Sequence, residues 1–322
     1  MPTILITGAS GFVGRMTAEK FRDRGWNVVG IGRRETTQPG YIQADLSIEY
    51  DDRVVQALKR ADLVLHAAAR SSPWGTRRSF RRANVLATER LLDACDRHGR
   101  PRVVFVSSSS VYYRECDQFG LTESSPLADH PVNHYAESKQ LAERLVESYQ
   151  GSSLTVRPRA VYGRGDTVLF PRILAAARAG KLPLLTRDDE PAVGDLIAIE
   201  NLTERFWQIA QDETLTGSLN LTDNDPQRII PFLLDVFHRL DLPTPKRKVP
   251  VRRAYRFAHG VECLYGCLMP WKEPPITRFG VHVFAYSKTF DVSRMLELLG
   301  PPPQTTETAV AEFVDWIRSR PC

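Results

Sequence analysis

The chain has 322 residues, 42% hydrophobic and 25% charged, with a formal net charge of +5. That length buries a full core and divides into one large part and one smaller one, and so modest a charge admits anionic ligands without implying nucleic acid. No apolar run approaches the roughly 18 residues of a membrane span, and the five scattered cysteines, Cys95, Cys116, Cys263, Cys267 and Cys322, suit a reducing compartment.

No signal peptide is expected ahead of Met1-Pro-Thr-Ile-Leu-Ile-Thr7, so the expected address is cytoplasmic. Thr3 to Ile6 reads as a strand buried on both faces, and the turn from Thr7 to Gly14 leads it into a helix. Gly8, Gly11 and Gly14 have the spacing of a dinucleotide loop, where glycine allows a tight turn, close approach of a pyrophosphate and close helix packing. Ser10, Phe12 and Val13 belong to the same expected cofactor-binding turn. The second strand, Asn27 to Gly32, ends without a carboxylate and runs into Arg33 and Arg34. An NAD site usually has Asp or Glu there, whereas arginine accommodates the 2′-phosphate of NADP, so NADP (NADPH) is the expected cofactor.

Asp45 and Leu46 follow a third short strand, where a carboxylate can meet an adenine amino group. A fourth strand, Ala61 to His66, leads into the small-residue loop Ala67-Ala68-Ala69, which lets a cofactor lie close. Asn84 is read as starting a helix, either as a cap or in a functional role. The next strand, Arg102 to Val106, carries Ser107 to Ser110 at its C-terminal edge, where ligands bind in open α/β sheets and a hydroxyl can hold a substrate oxygen.

Tyr135 and Lys139 are four apart on a segment with helical apolar spacing, so they share one face. An adjacent ammonium favours the phenolate, which would bring Tyr135 into range as a proton donor during hydride transfer.

Taken together, these residues resemble the extended short-chain dehydrogenase/reductase superfamily over nearly the whole chain. The matching set is Gly8-x-x-Gly11-x-x-Gly14, Asp45-Leu46, His66-Ala-Ala, Asn84-Val, Ser107-Ser-x-x-Val111-Tyr112, Tyr135-x-x-x-Lys139 and Arg157-Pro-x-x-Val-Tyr-Gly163. The resemblance implies a doubly wound, Rossmann-type α/β parallel sheet with a smaller C-terminal substrate lobe. Residues 1–165, joined by 195–224, would bind the nucleotide, and 166–194 with 225–322 would form most of the lobe. It implies Ser108 and Tyr135 as catalytic hydroxyls, Lys139 on the nicotinamide ribose, Pro158 and Ala160 along the nicotinamide, and Asn84 in a proton relay. Trp74, Ser109 and Tyr112 are the expected substrate contacts.

Sugar-nucleotide 4,6-dehydratases have an Asp-Glu pair after the catalytic hydroxyl, where this chain has Ser109-Ser110, and sugar epimerases usually carry an acidic residue after the second strand. The chain is more similar to the 3β-hydroxysteroid dehydrogenase-like branch, and to 2-alkyl-3-oxoalkanoate reductases, through Pro73-Trp-Gly75, Asp195 to Asn201, Glu273 to Arg278 and Phe290 to Arg294. That implies NADPH-dependent reduction of an apolar ketone, 3-oxoacyl or sterol-like, with a CoA or carrier-protein thioester as one form of it. The alternatives are a nucleotide-sugar epimerase or reductase with bound NAD, and a dinucleotide sensor without turnover. A homodimer is expected from the family.

In the second half, helices are read at Phe170–Gly180, Asn201–Ala210, Ile229–Leu240 and Glu307–Arg318, and a late strand at Gly217–Thr222. The aromatic and apolar residues from Val249 to Tyr286 suit either a substrate pocket or a lobe core. The basic cluster Lys246-Arg-Lys248 with Arg252-Arg253 is a solvated face, a phosphate clamp or a docking surface for an anionic membrane. His259, Cys263 and Cys267 align at helical spacing, but the missing fourth ligand favours packing, and no metal is expected.

Overall fold

The computed structural model describes residues 1–187 and 191–320, which leaves Cys322 outside the described residues. The first half alternates strands and helices: β1 (Thr3–Thr7), α1 (Phe12–Asp23), β2 (Asn27–Gly32), β3 (Tyr41–Gln43), α2 (Asp52–Arg60), β4 (Leu63–His66), α3 (Arg77–Phe80), α4 (Ala87–Arg97), β5 (Arg102–Val106), β6 (Gln118–Leu121), α5 (His134–Glu147) and β7 (Ser153–Pro158). The second half is more broken: β8 (Val161–Tyr162), α6 (Phe170–Arg178), β9 (Leu184–Thr186), β10 (Val193–Gly194), β11 (Ile197–Ala198), α7 (Ile199–Gln211), β12 (Gly217–Leu221), β13 (Gln227–Arg228), α8 (Ile229–Arg239), β14 (Lys248–Pro250), α9 (Val251–Leu268), α10 (Arg278–Ala285), β15 (Lys288–Phe290), α11 (Ser293–Leu299) and α12 (Thr306–Arg318).

Seven strands form one parallel sheet in the order β12-β7-β5-β4-β1-β2-β3. Every residue of β1, β4 and β5 is buried, as near-continuous apolar runs require when helices cover both faces. Strand order reverses between β1 and β4. At such a reversal the loops leaving the two C-terminal ends diverge and open a crevice. The turn after β1 and the loop after β4 border it here, so topology places the site before any side chain is considered.

The second half is stitched onto this sheet rather than hung from a linker. β12 extends the sheet beyond β7, and β15 pairs in parallel with β6 from the first half. Tyr162, Phe170, Phe237 and Phe313 form a separate core under α6, α8 and α12. A small core of Val251, Ala254, Ala258, Val281 and Ala285 joins α9 to α10. The aromatic stretch from Val249 to Tyr286 is thus divided, because Phe257, Leu264, Leu268 and Trp271 lie exposed on the outer side. His259 and Cys263 share that exposed face, with Nε2 and Sγ 3.9 Å apart. Among the described residues no helix is long and apolar enough to cross a membrane.

Candidate active site

The turn after β1 is tight because only glycine fits it. Gly8 has φ +71°, and a Cβ on it would fall 2.8 Å from the backbone of Ala68, while one on Gly14 would fall 2.4 Å from the Gly8 carbonyl oxygen. Gly11 caps α1 without a side-chain hydrogen bond, and no acidic residue lies in the first turn. The N–H groups and positive dipole end of that helix therefore face the crevice uncompensated, which suits a pyrophosphate.

A buried chain of hydrogen bonds fixes this turn to the loop after β4. Ala68 N–H donates to Thr7 Oγ1 at 3.1 Å, Thr7 Oγ1 meets His66 Nδ1 at 2.7 Å, and His66 Nε2 meets Thr88 Oγ1 at 2.8 Å. The Thr88 hydroxyl itself donates to the Asn84 carbonyl at 2.6 Å, so it must accept from His66, and the proton belongs on Nε2. Burial, with the Lys139 charge nearby, pushes His66 down to about 3 and keeps it neutral.

Along the crevice, Arg33 and Arg34 lie exposed after β2, and Arg34 Nη2 donates to the Ser10 carbonyl at 2.7 Å. Asp45 accepts from Ser47 N–H at 2.9 Å, from Ser47 Oγ at 2.7 Å and from Arg82 Nη2 at 3.2 Å. Burial works to raise its carboxyl, but the Ser47 bonds, Arg82 and Arg33 prevail and hold it below the usual range. Gly8, Ser10, Gly11 to Gly14, Arg33, Arg34, Asp45 and Ala67 to Ala69 are thus gathered around the ends of β1 to β4. Leu46 packs inward and is buried.

Across the strand reversal, Asn133 caps α5 by accepting from Ala136 N–H at 2.8 Å, which sets Tyr135 in the first turn. Tyr135 is half-buried, with its ring centroid 6.4 Å from that of Phe80. Lys139 is buried, donates to the Val106 carbonyl at 2.6 Å and lies 4.7 Å from the Phe105 ring centroid. Ser108, just beyond β5, completes the group. Its Oγ accepts from Ser110 N–H at 3.2 Å, and its hydroxyl hydrogen-bonds the Tyr135 phenol.

The charge states differ from the sequence expectation. Burial pushes the Tyr135 phenol up to about 12; the Ser108 hydroxyl opposes this and Tyr113 adds to it. The Lys139 ammonium donates to the β5 carbonyl of Val106. Burial pushes Lys139 itself down to about 7, against the pull of Glu143.

Asn84 is a correction of another kind. It does not start a helix: α3 begins after Thr76, and Asn84 lies inside a wide, π-type turn, Arg81–Leu86, between α3 and α4. Such bulges re-aim side chains out of regular helical register. Its Oδ1 accepts from Arg70 N–H at 2.7 Å and its Nδ2 donates to Ser138 Oγ at 2.8 Å, while Ser138 Oγ donates to the Tyr135 carbonyl at 2.7 Å. Asn84 thereby ties the loop after β4 to the helix that bears Tyr135.

Tyr112, expected at the substrate, is fully buried in the core instead. Its hydroxyl donates to Asn220 Oδ1 at 3.1 Å and accepts from Arg157, so it has no donor left to offer a ligand. Arg157 in turn forms a buried ion pair with Glu143 at 2.8 Å. The neighbouring Tyr113, which sequence reasoning passed over, faces the site, with its Oη 3.0 Å from Ser109 Oγ. Trp74 lies half-buried beside α9, where a Cβ built on Gly266 would fall 3.9 Å from its ring. Ala160 holds a strained φ of +42° just after Pro158. The site fits a nicotinamide dinucleotide on its glycine turn, its uncapped helix end and its arginines.

Residues 4–221 match the NAD dependent epimerase/dehydratase family. A 2-alkyl-3-oxoalkanoate reductase of Shewanella oneidensis is 30% identical over 307 residues, covering 89% of this chain and 79% of that protein. The decarboxylating sterol-4-alpha-carboxylate 3-dehydrogenase of Mus musculus is 27% identical, covering 95% and 88%. A solved structure of MoeE5 in complex with UDP-glucuronic acid and NAD superposes with a TM-score of 0.76 at 23% identity, covering 98% of this chain and 99% of that one, a likeness of fold alone. On the family match and the similar reductase, with a glycine turn shaped for a nicotinamide dinucleotide, this chain belongs to the NAD dependent epimerase/dehydratase family and is an oxidoreductase of the extended short-chain type.

Proposed function

We propose that the protein is an NADPH-dependent reductase of a ketone on a largely apolar substrate, 3-oxoacyl or sterol-like, or runs the reverse oxidation. The observation that carries this reading is the convergence of Ser108, Tyr135 and Lys139 at the C-terminal end of β5, across the crevice from the glycine turn. When bound, the nicotinamide supplies hydride to the carbonyl carbon. The Ser108 hydroxyl holds the carbonyl oxygen, and Tyr135 gives that oxygen its proton. Lys139, held against β5, would hold the nicotinamide ribose when the cofactor is bound, and its charge on the same face of α5 would favour the phenolate that Tyr135 becomes on giving up its proton. Ser109 and Ser110 stand where a 4,6-dehydratase needs an acid and a base, so dehydration lacks its proton carriers.

Arg33 and Arg34 support NADPH over NADH, since guanidinium forks suit a phosphate. The similar reductase and dehydrogenase, by their names, act on oxoalkanoate and sterol-carboxylate substrates, which supports an apolar ketone. A cytoplasmic homodimer completes the reading. The test is titration of the purified protein with NADPH and NADH by nicotinamide fluorescence, with analysis of any nucleotide that co-purifies. Tight, exchangeable NADPH with weak NADH is expected. Retained NAD with indifference to NADPH would overturn the cofactor assignment and favour a sugar-nucleotide epimerase.

A further inference from the structure

Half of the eight large hydrophobic side chains that lie exposed among the described residues belong to one short stretch of the chain. They are Phe257, Leu264 and Leu268 on α9 and Trp271 just beyond it, from 54% exposed at Leu264 to 78% at Trp271. The other side of α9 packs inward through Val251, Ala254, Ala258 and Glu262. Spaced i, i+7 and i+11, Phe257, Leu264 and Leu268 share one stripe along the helix. Between Phe257 and Trp271 the sequence has one Asp, Glu, Lys or Arg, and that residue, Glu262, is buried and pairs with Arg278 at 2.6 Å. An apolar face this continuous, on the outside of the lobe, marks a contact surface.

The charge stands at the ends of the stripe. Arg252, Arg253 and Arg256 are exposed on the first two turns of α9, and Lys246, Arg247 and Lys248 are exposed on the segment leading into it. Lys272 follows Trp271 at the other end and is exposed as well. Among the described residues none of these cations forms an ion pair, because the carboxylates that reach α9 and the turn after it are engaged elsewhere. Glu262 is held by Arg278, Glu273 by Arg172 at 2.9 Å, and Glu115 accepts from the Tyr255 hydroxyl. A second copy of the chain would meet this face with the same face, setting arginines against arginines or against apolar side chains. A bilayer with anionic headgroups instead offers an apolar layer to the stripe and phosphates to the cations.

We infer that the protein docks on an anionic lipid bilayer through α9, with Phe257, Leu264, Leu268 and Trp271 entering the boundary between headgroups and acyl chains and the arginines of the first two turns on lipid phosphates. The helix lies in the plane of the interface rather than across it, in keeping with its length and hydropathy. Tryptophan suits that boundary, and arginine stems lie along apolar surface while their guanidinium groups reach phosphate. The C-terminal end of α9 is beside the loop after β4, through Gly266 next to the Trp74 ring and through Ser72, which donates to Glu273 at 3.2 Å. Docking therefore sets a loop that borders the crevice next to the lipid. A short route for an apolar substrate follows from this and rests on the reductase reading; the docking itself does not.

The test uses the full chain saturated with NADP⁺, titrated with vesicles of phosphatidylcholine alone and of phosphatidylcholine mixed with phosphatidylglycerol. Binding is read by co-sedimentation and by protection of tryptophan fluorescence from acrylamide. The variants are Leu264→Asp with Leu268→Asp, and Arg252→Ser with Arg253→Ser and Arg256→Ser. All five side chains are exposed, so NADPH affinity should stay at the wild-type value and report an intact fold. Should the aspartate variant lose NADPH binding, Trp271→Ser, outside any helix or strand, takes its place. The wild type should bind the mixed vesicles at least about tenfold more tightly than the neutral ones, a preference that shrinks as salt is raised. The aspartate variant should lose at least about tenfold in affinity for mixed vesicles, and the serine variant should lose the anionic preference. No binding to mixed vesicles, equal binding to both kinds, or binding that survives both variants overturns the inference. A dimer formed without lipid and dissociated by the aspartate variant, as read by light scattering, assigns the face to a second copy and overturns it too. Vesicle binding with no reduction of any ketone refutes the reductase reading and leaves the docking standing, whereas ketone reduction without vesicle binding removes the docking alone.

Discussion

Lys139 donates from Nζ to the carbonyl of Val106 at 2.6 Å, tying the middle of α5 to the C-terminal end of β5 two residues before Ser108. The bond fixes the spacing between the helix that carries Tyr135 and the strand that carries Ser108. Because the ammonium is buried to make it, the geometry of the site is coupled to a titration.

Lys139 has its ordinary value near 10.5 in the unfolded chain and about 7 in the folded one, through burial opposed by Glu143. Between those values the unfolded state binds more protons, so stability rises with pH across the window. Lys139→Met removes this contribution. The unfolding free energy of the wild type relative to the variant should move in favour of the wild type from about pH 7 to 10 and stay flat below about 6, as read by urea titration. Parallel stability curves would show that the lysine is not held out of its usual range.

Tyr135→Phe keeps the ring that packs near Phe80 and removes the phenol. Turnover should fall by about 10²- to 10⁴-fold, while NADPH affinity changes by no more than a few-fold. Steady-state rates and fluorescence titration on one preparation check both halves, and surviving turnover would show that another group is the acid.

Replacing Arg33 and Arg34 together by alanine should weaken NADPH by about ten- to a hundredfold and NADH by only a few-fold, since the arginines would meet the 2′-phosphate that NADH lacks. An equal loss for both cofactors would mean that the pair acts on the shape of the turn, where Arg34 holds the Ser10 carbonyl.

His66→Phe leaves the Thr7 and Thr88 hydroxyls without their partner, a loss of about 1–3 kcal/mol at neutral pH. His66 is pushed down to about 3 by burial, so the unfolded chain takes up a proton near 6.5 that the folded chain refuses. The contribution of this residue is fully present above about pH 6.5 and fades as pH falls toward 3. The gap between wild type and variant should therefore narrow between pH 7.5 and 4.5 in urea unfolding, and a constant gap would argue against a neutral, buried imidazole.

Glu143→Ala strands the buried Arg157 guanidinium, which bonds Glu143 at 3.0 Å and 2.8 Å. A loss of about 3–5 kcal/mol is expected from an uncompensated buried charge, measured by chemical denaturation. A much smaller loss would show that the Tyr112 hydroxyl and the Glu123 carbonyl suffice to hold Arg157.

Much of the fold was legible because its signals are local. The apolar runs beginning at Thr3, Ala61 and Arg102 read as buried strands, the second of which starts at Leu63 in the structure, and the helices read at Phe170, Asn201, Ile229 and Glu307 match Phe170–Arg178, Ile199–Gln211, Ile229–Arg239 and Thr306–Arg318 to within a few residues at each end. Asn84 was misread because a wide turn inside a continuous helix leaves no mark in apolar spacing. Tyr112 and Tyr113 are adjacent tyrosines in a serine-rich stretch, and nothing local says which one turns into the core. Arg159 carried a usable signal, a charge inside the Arg157-Pro-x-x-Val-Tyr-Gly163 motif beside the expected nicotinamide position, but its burial could not be read from that.

What the sequence by itself determined is whatever depends on neighbours within a turn or two: the glycine turn, the strand ends, the Tyr135 and Lys139 spacing, and the arginines after the second strand. These are set by backbone sterics and helical period, both written along the chain. Only the tertiary structure decided which charges are buried, that Lys139 faces a strand carbonyl rather than bare phenol, that His66 is neutral, and that Arg159 meets His282 and Lys288 across Tyr113. Those relations join residues from tens to more than a hundred positions apart, and their energies depend on the exclusion of water, which exists only once the chain has closed around them.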